Sequence, residues 1–208
     1  MTTEKKRINF LVIIEAKPPI RDFSLKDLPG ASKIDVVARN ILTLFPNRNK
    51  DLKITYYALF SKENPHILKV KELCSKISLY DEIEIASLLK EKIQTPMDTF
   101  TIDSYQQKND INWFQNTNLE TFLKIIPKDE TNIYYLHERG KSYENFLETF
   151  ETNKNFLFIL GGRHDVSEEN EKIINEFNIQ RINLGKISYL ASTCLLKIVF
   201  EFEKILEK

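Results

Sequence analysis

Apolar residues recur along this chain with two different periods, and the switches between them mark the elements. RINFLVIIEA, residues 7–16, is nearly continuous in apolar and β-branched side chains and runs into the breaker Lys17-Pro18-Pro19, which predicts a buried strand. KITYYALF, 53–60, predicts a second. Between them Ile34, Val37, Ile41 and Leu44 fall at helical spacing behind a Pro29-Gly30 turn, giving a strand, helix, strand unit. HILKVKELCSKISL, 66–79, alternates weakly, as a hairpin would, and DEIEIASLLKEKI, 81–93, has the period of an amphipathic helix. Residues 94–117 show no sustained period and read as a loop carrying one strand at TFTID, 99–103.

From residue 118 the alternation becomes regular. Helices are predicted at 118–126, 143–150, 168–177 and 190–206, and strands at 132–136, 155–160 and 179–183. Strands alternating with helices at this spacing predict an α/β fold with a mainly parallel sheet. With 208 residues, 42% of them hydrophobic, and no linker or repeat, the expectation is a single domain over 1–208.

Composition narrows the chemistry. Cys74 and Cys194 stand far apart without a CxxC, and His66, His137 and His164 make no HExxH, so no metal site is expected. No apolar run is long enough to cross a membrane and the start has no signal-peptide layout, so the expectation is a cytoplasmic protein with no membrane partner. Lys+Arg and Asp+Glu balance at 30 each; any contact with nucleic acid must come from local basic clusters, such as Lys5, Lys6 and Arg7 or Arg48, Lys50 and Lys53. Solvated loops are the preferred reading of both clusters.

Of the five glycines, Gly140, Gly161, Gly162 and Gly185 closely follow apolar runs, in YYLHERG, FILGG and INLG. These are three successive strand ends, so the glycines belong to loops at one sheet edge. In open α/β sheets ligands bind beyond the carboxyl ends of the strands. Neither GxxxxGK[ST] nor GxGxxG is present, so the site is expected to be assembled from several loops.

The residues that carry these loops also carry a resemblance. FSLKDLPGASKIDVVARNI, YYLHERG, FILGG with SEEN beyond it, and INLGKISYLASTC, in that order over 23–194, resemble the archaeal tRNA pseudouridine N-methyltransferase family, TrmY, of the SPOUT superclass. The resemblance implies a SPOUT-type α/β knot with a C-terminal trefoil, a homodimer, and S-adenosylmethionine as cofactor. It implies cofactor contacts at Leu136, Gly161, the stretch Leu184, Gly185, Lys186, Ile187, Ser188 and Tyr189, and Cys194. The activity implied is methylation of a pseudouridine ring nitrogen in the tRNA T-loop. The chain departs from the family pattern at three places. Gly162 and Arg163 stand where Asp-His is usual, Ile83 follows Asp81 and Glu82 where DER is usual, and YLASTC, 189–194, stands where LHAD-x-C is common. These departures bear on the substrate more than on the cofactor. They leave open another RNA nucleotide as target, or an RNA-binding knot protein without turnover.

Asp35 and Arg39 lie four apart on the helix after DLPG. Two readings stand side by side: an exposed ion pair, or catalytic residues, the carboxylate taking the ring proton and the arginine holding phosphate or the ring anion. The match to the family motif favours the second. Cys194 reads as a small residue lining the cofactor pocket rather than a nucleophile, and His137 and Glu138 read as loop-shaping groups. The apolar stripe Leu195, Ile198, Val199, Phe202, Ile205 and Leu206 reads as core packing, and the same terminal helix as a natural dimer face.

Overall fold

The computed structural model describes residues 6–45, 52–71, 81–93, 98–106, 111–143 and 154–206. Lys5, Arg48, Lys50, Cys74, the second half of the expected hairpin and all but the first residue of the expected helix at 143–150 lie outside the described residues. Among the described residues eight strands form one sheet: β1 (Lys6–Ile14), β2 (Leu52–Phe60), β3 (His66–Val70), β4 (Asp98–Thr99), β5 (Ile111–Gln115), β6 (Thr131–Ser142), β7 (Asn155–Gly161) and β8 (Gln180–Asn183), in the order β4-β5-β3-β2-β1-β7-β6-β8. Every neighbouring pair is parallel except the two made by β3, which runs against β2 and β5. The sheet is therefore mainly parallel, with one reversed strand.

The helices are α1 (Ile34–Leu44), α2 (Glu82–Ile93), α3 (Ile102–Gln106), α4 (Leu119–Ile125), α5 (Glu168–Glu176) and α6 (Ala191–Leu206). On one face of the sheet Ile8, Phe10, Tyr56 and Phe158 pack under α1, α2 and α6; on the other Leu11, Ile13, Tyr57 and Ile159 pack under α3, α4 and α5. Each central strand thus sends alternate side chains into opposite cores, which is why β1 and β7 are apolar at nearly every position.

Two expectations change. TFTID is not a strand: only Asp98 and Thr99 pair with β5, and the chain then turns into α3, where Thr101 Oγ1 accepts from the Ser104 amide at 3.2 Å. The longer strand described in this region is β5, INWFQ, whose Trp113 stacks on Phe60 with centroids 5.5 Å apart. The strand expected to stop near Leu136 runs on to Ser142. Both Leu136 and Lys141 lie opposite Ile182, so residues 137–140 are extruded as a bulge between them.

Candidate functional site

Because β1, β2, β6, β7 and β8 run the same way, their carboxyl ends share an edge, and a cleft of about 530 Å³ opens there between the ends of β6, β7 and β8 and the start of α6. Three local devices build its walls. The β6 bulge is held by Asn183, whose Nδ2 donates to the Gly140 carbonyl at 2.6 Å while its Oδ1 accepts from the Gly185 amide at 3.1 Å. A Cβ on Gly140 would overlap the Ile182 backbone, so only glycine lets the bulge lie this close to β8. Gly185 differs: its φ of +123° disfavours any other residue, yet a Cβ there would meet nothing within 4 Å.

The loop after β7 is fixed at both ends. The Gly162 amide donates to the Ile13 carbonyl at 2.9 Å, and the Ser167 amide donates to Glu15 Oε1 at 2.8 Å. Glu15 also accepts from Ser61 and Asn170 and pairs with Lys62. Burial would raise its carboxyl, but the Lys62 contact, then the Ser167 amide, Ser61 and Asn170, outweigh burial and hold it at about 2.

One wall of the cleft is polar. Glu171, in the first turn of α5, accepts from Tyr135 Oη at 2.5 Å and from Arg181, which also donates to Asn175 at 3.1 Å. Burial, then the hydrogen bond to Glu171, raises the Tyr135 phenol far above its ordinary range, so it stays protonated as a donor. The Arg139 amide donates to His137 Nδ1 at 3.1 Å, which leaves Nε2 as the protonated nitrogen of the neutral ring, 4.0 Å from Glu171. The bulge is the bend that brings His137 back against Tyr135. Leu160, Ile182, Leu184, Ile187 and Ala191 add apolar lining to the same cleft.

The structure brings Leu136, Gly161, Leu184, Gly185, Ile187, Ser188, Tyr189 and Cys194 into this one cleft; Lys186 is exposed and does not line it. Burial pushes the Cys194 thiol up to about 11, against the opposing pull of Lys197, so it is not poised as a nucleophile. Asp35 and Arg39 are not in the cleft of a single chain. They are not ion-paired with each other either. Arg39 donates to both carboxylate oxygens of Glu82, at 2.8 and 3.4 Å, while Asp35 is only 9% exposed and its Oδ1 has no hydrogen-bond partner among the described residues. Arg7 and Lys53 come from separate basic clusters, yet they are direct partners in the β1–β2 register. Among the described residues no group of His, Cys, Asp and Glu is arranged to hold a metal, and no helix is long and apolar enough to cross a membrane.

A family model described as "Putative SAM-dependent RNA methyltransferase" matches residues 8–205, nearly the whole chain. The chain belongs to this family. Among curated relatives, a tRNA (pseudouridine(54)-N(1))-methyltransferase of Methanococcoides burtonii is 30% identical over 201 residues, covering 94% of this chain and 96% of that one. Another of the same name, from Methanocaldococcus jannaschii, is 28% identical over 84% of this chain and 85% of its own length. Among solved structures, the crystal structure of Archaeoglobus fulgidus Nep1 bound to S-adenosylhomocysteine superposes over 98% of this chain and all of that one, with a TM-score of 0.63 at 13% identity, and so shares the fold.

For a member of this family the sequence reading missed the polar wall. Tyr135, Glu171 and Arg181 come from three elements, and nothing in their spacing announces that they meet. Asn183 had a local signal: an Asn at a strand end just before Leu-Gly is a residue whose side chain bonds nearby backbone.

Proposed function

We propose that this protein transfers the methyl group of S-adenosylmethionine to the ring nitrogen N1 of pseudouridine 54 in tRNA. The observation that carries the reading is the cleft at the carboxyl ends of β6, β7 and β8, in a chain that matches, over nearly its full length, relatives named for that reaction. The cleft suits the cofactor: its volume fits a nucleoside-sized ligand, and its lining combines apolar residues able to meet a base with the polar Glu171 and Arg181. Leu136, Gly161, Leu184, Gly185, Ile187, Ser188, Tyr189 and Cys194 are the residues that would hold it, largely through strand-end backbone; Lys186, outside the cleft lining, is left out of this set. When bound there, the cofactor supplies a methyl group activated on a sulfonium.

The target nitrogen must lose its proton, and this reading assigns that proton to Asp35, whose buried Oδ1 has no competing donor among the described residues. Arg39, on the same side of α1 and held by Glu82, is assigned to balance the ring anion or an RNA phosphate. RNA or a second protomer must bring the target to them, since neither lines the cleft of one chain. A C-terminal trefoil knot is supported by the fold shared with the Nep1 structure and by the bulge that presses on β8. A homodimer is supported by exposed Ile187, Leu190, Leu196 and Phe200 in and before α6.

Nucleoside mass spectrometry of tRNA carrying pseudouridine, after incubation with protein and cofactor, tests the reading. A methylated pseudouridine is expected; methyl on another nucleotide would select the reading that the departures at Gly162, Arg163 and Ile83 leave open. Asp35→Asn and Arg39→Ala are expected to keep cofactor affinity within about twofold while slowing single-turnover methylation at least about tenfold. Unchanged rates in both would return them to a structural role.

A further inference from the structure

We propose that Arg139 and Arg163 form an anion-binding mouth on the cleft that holds the phosphodiester backbone of the RNA strand carrying the target nucleotide. The inference rests on the reading of the protein as an RNA methyltransferase and names residues that no motif of that reading assigns.

Both arginines line the cleft and both are exposed. Their loops are anchored. Arg139 sits in the bulge fixed by the Asn183–Gly140 bond, and its own amide is bonded to His137. Arg163 sits between the Gly162–Ile13 and Ser167–Glu15 bonds. The backbone of each is thus placed before any ligand arrives, which lowers the cost of ordering on binding.

Their guanidinium groups are uncommitted among the described residues. Arg39 is taken by Glu82, and Arg181 by Glu171 and Asn175. Arg139 and Arg163 make no side-chain hydrogen bond or ion pair among the described residues, although Glu138 and Asp165 adjoin them in sequence. A planar guanidinium matches two phosphate oxygens at once, which an ammonium does not. A nucleotide entering the cleft from solvent must carry its flanking phosphates past this rim.

The test uses Arg139→Gln, Arg163→Gln and the double variant, with tRNA binding followed by anisotropy across a salt series and cofactor-product binding followed by calorimetry with S-adenosylhomocysteine. Each single variant is expected to weaken tRNA binding about tenfold and to reduce the slope of log affinity against log salt by about one. S-adenosylhomocysteine affinity should stay within about twofold. Arg163→Lys is expected to restore the salt slope but not the full affinity. If wild type binds tRNA and the double variant binds it equally well with the same slope, this inference fails and the methyltransferase reading stands. Lost S-adenosylhomocysteine affinity with tRNA binding intact would assign the arginines to the cofactor instead and overturn it. Wild-type protein that binds no tRNA brings down both.

Discussion

Glu15 shows how much one side chain can fix. It stands just past β1 and joins residues far apart in the chain, Ser61 and Lys62 on one side, Ser167 and Asn170 on the other. Its folded carboxyl lies near 2, below the ordinary 4.5, so its contribution is complete above about pH 4.5 and is lost as pH falls toward about 2. Glu15→Gln should lower stability at neutral pH by about 1–3 kcal/mol and flatten the pH dependence of urea unfolding in that window. The two glycines that touch Asn183 should respond differently to alanine. Gly140→Ala drives a methyl into the Ile182 backbone and is expected to cost upwards of about 2 kcal/mol in unfolding free energy. Gly185→Ala meets open space, so its cost is the strained φ, and the larger effect should be on cofactor affinity, at least about tenfold by calorimetry, if the loop twists to relieve it. The sequence marked both positions as places where a side chain is unwelcome. It could not say why, because the reasons are a neighbouring strand in one case and a backbone angle in the other.

At the scale of elements, periodicity located α1, α2, α4, α5 and α6 and left the orientation of α6 half open. That helix is apolar on more than one side. Phe202 is 0% exposed, set edge-on against Phe156 at 5.1 Å, whereas Phe200 and Leu196 are 54% and 45% exposed. Phe202 therefore cannot report on a dimer, as the stripe alone would suggest; it reports on the core. Phe202→Ala should cost about 3–5 kcal/mol of unfolding free energy. Phe200→Glu should leave monomer stability within about 0.5 kcal/mol yet lower the mass seen by light scattering, if α6 is the homodimer face. A dimer that survives this change places the contact elsewhere. Strand β5 and the far half of β6 escaped sequence reading for a shared reason. INWFQ and HERGKS carry too little apolar alternation of their own, and their pairing with β3 and β8 is a long-range event.

For the whole molecule, the ligand-bearing edge was legible because parallel strands put their carboxyl ends together and glycines collect there. The polar wall was not, since tertiary packing alone brings Tyr135, Glu171 and Arg181 together. A ligand that binds only the folded cleft should stabilise the whole chain: at a hundredfold excess over Kd, S-adenosylmethionine contributes about 2.7 kcal/mol, or about 5–10 °C in Tm for a chain of this size. Differential scanning fluorimetry without such a shift would argue against the cofactor reading. The central place of β1 has a further consequence, for timing. Its one neighbour, β2, follows within the first third of the chain, but the other, β7, ends at Gly161, and every loop of the cleft lies in or beyond β6. During synthesis the first strand must therefore wait with one edge unpaired until most of the polypeptide has emerged, exposed meanwhile to the wrong partners that unpaired edges attract. Ligand binding is then the last property the growing chain acquires.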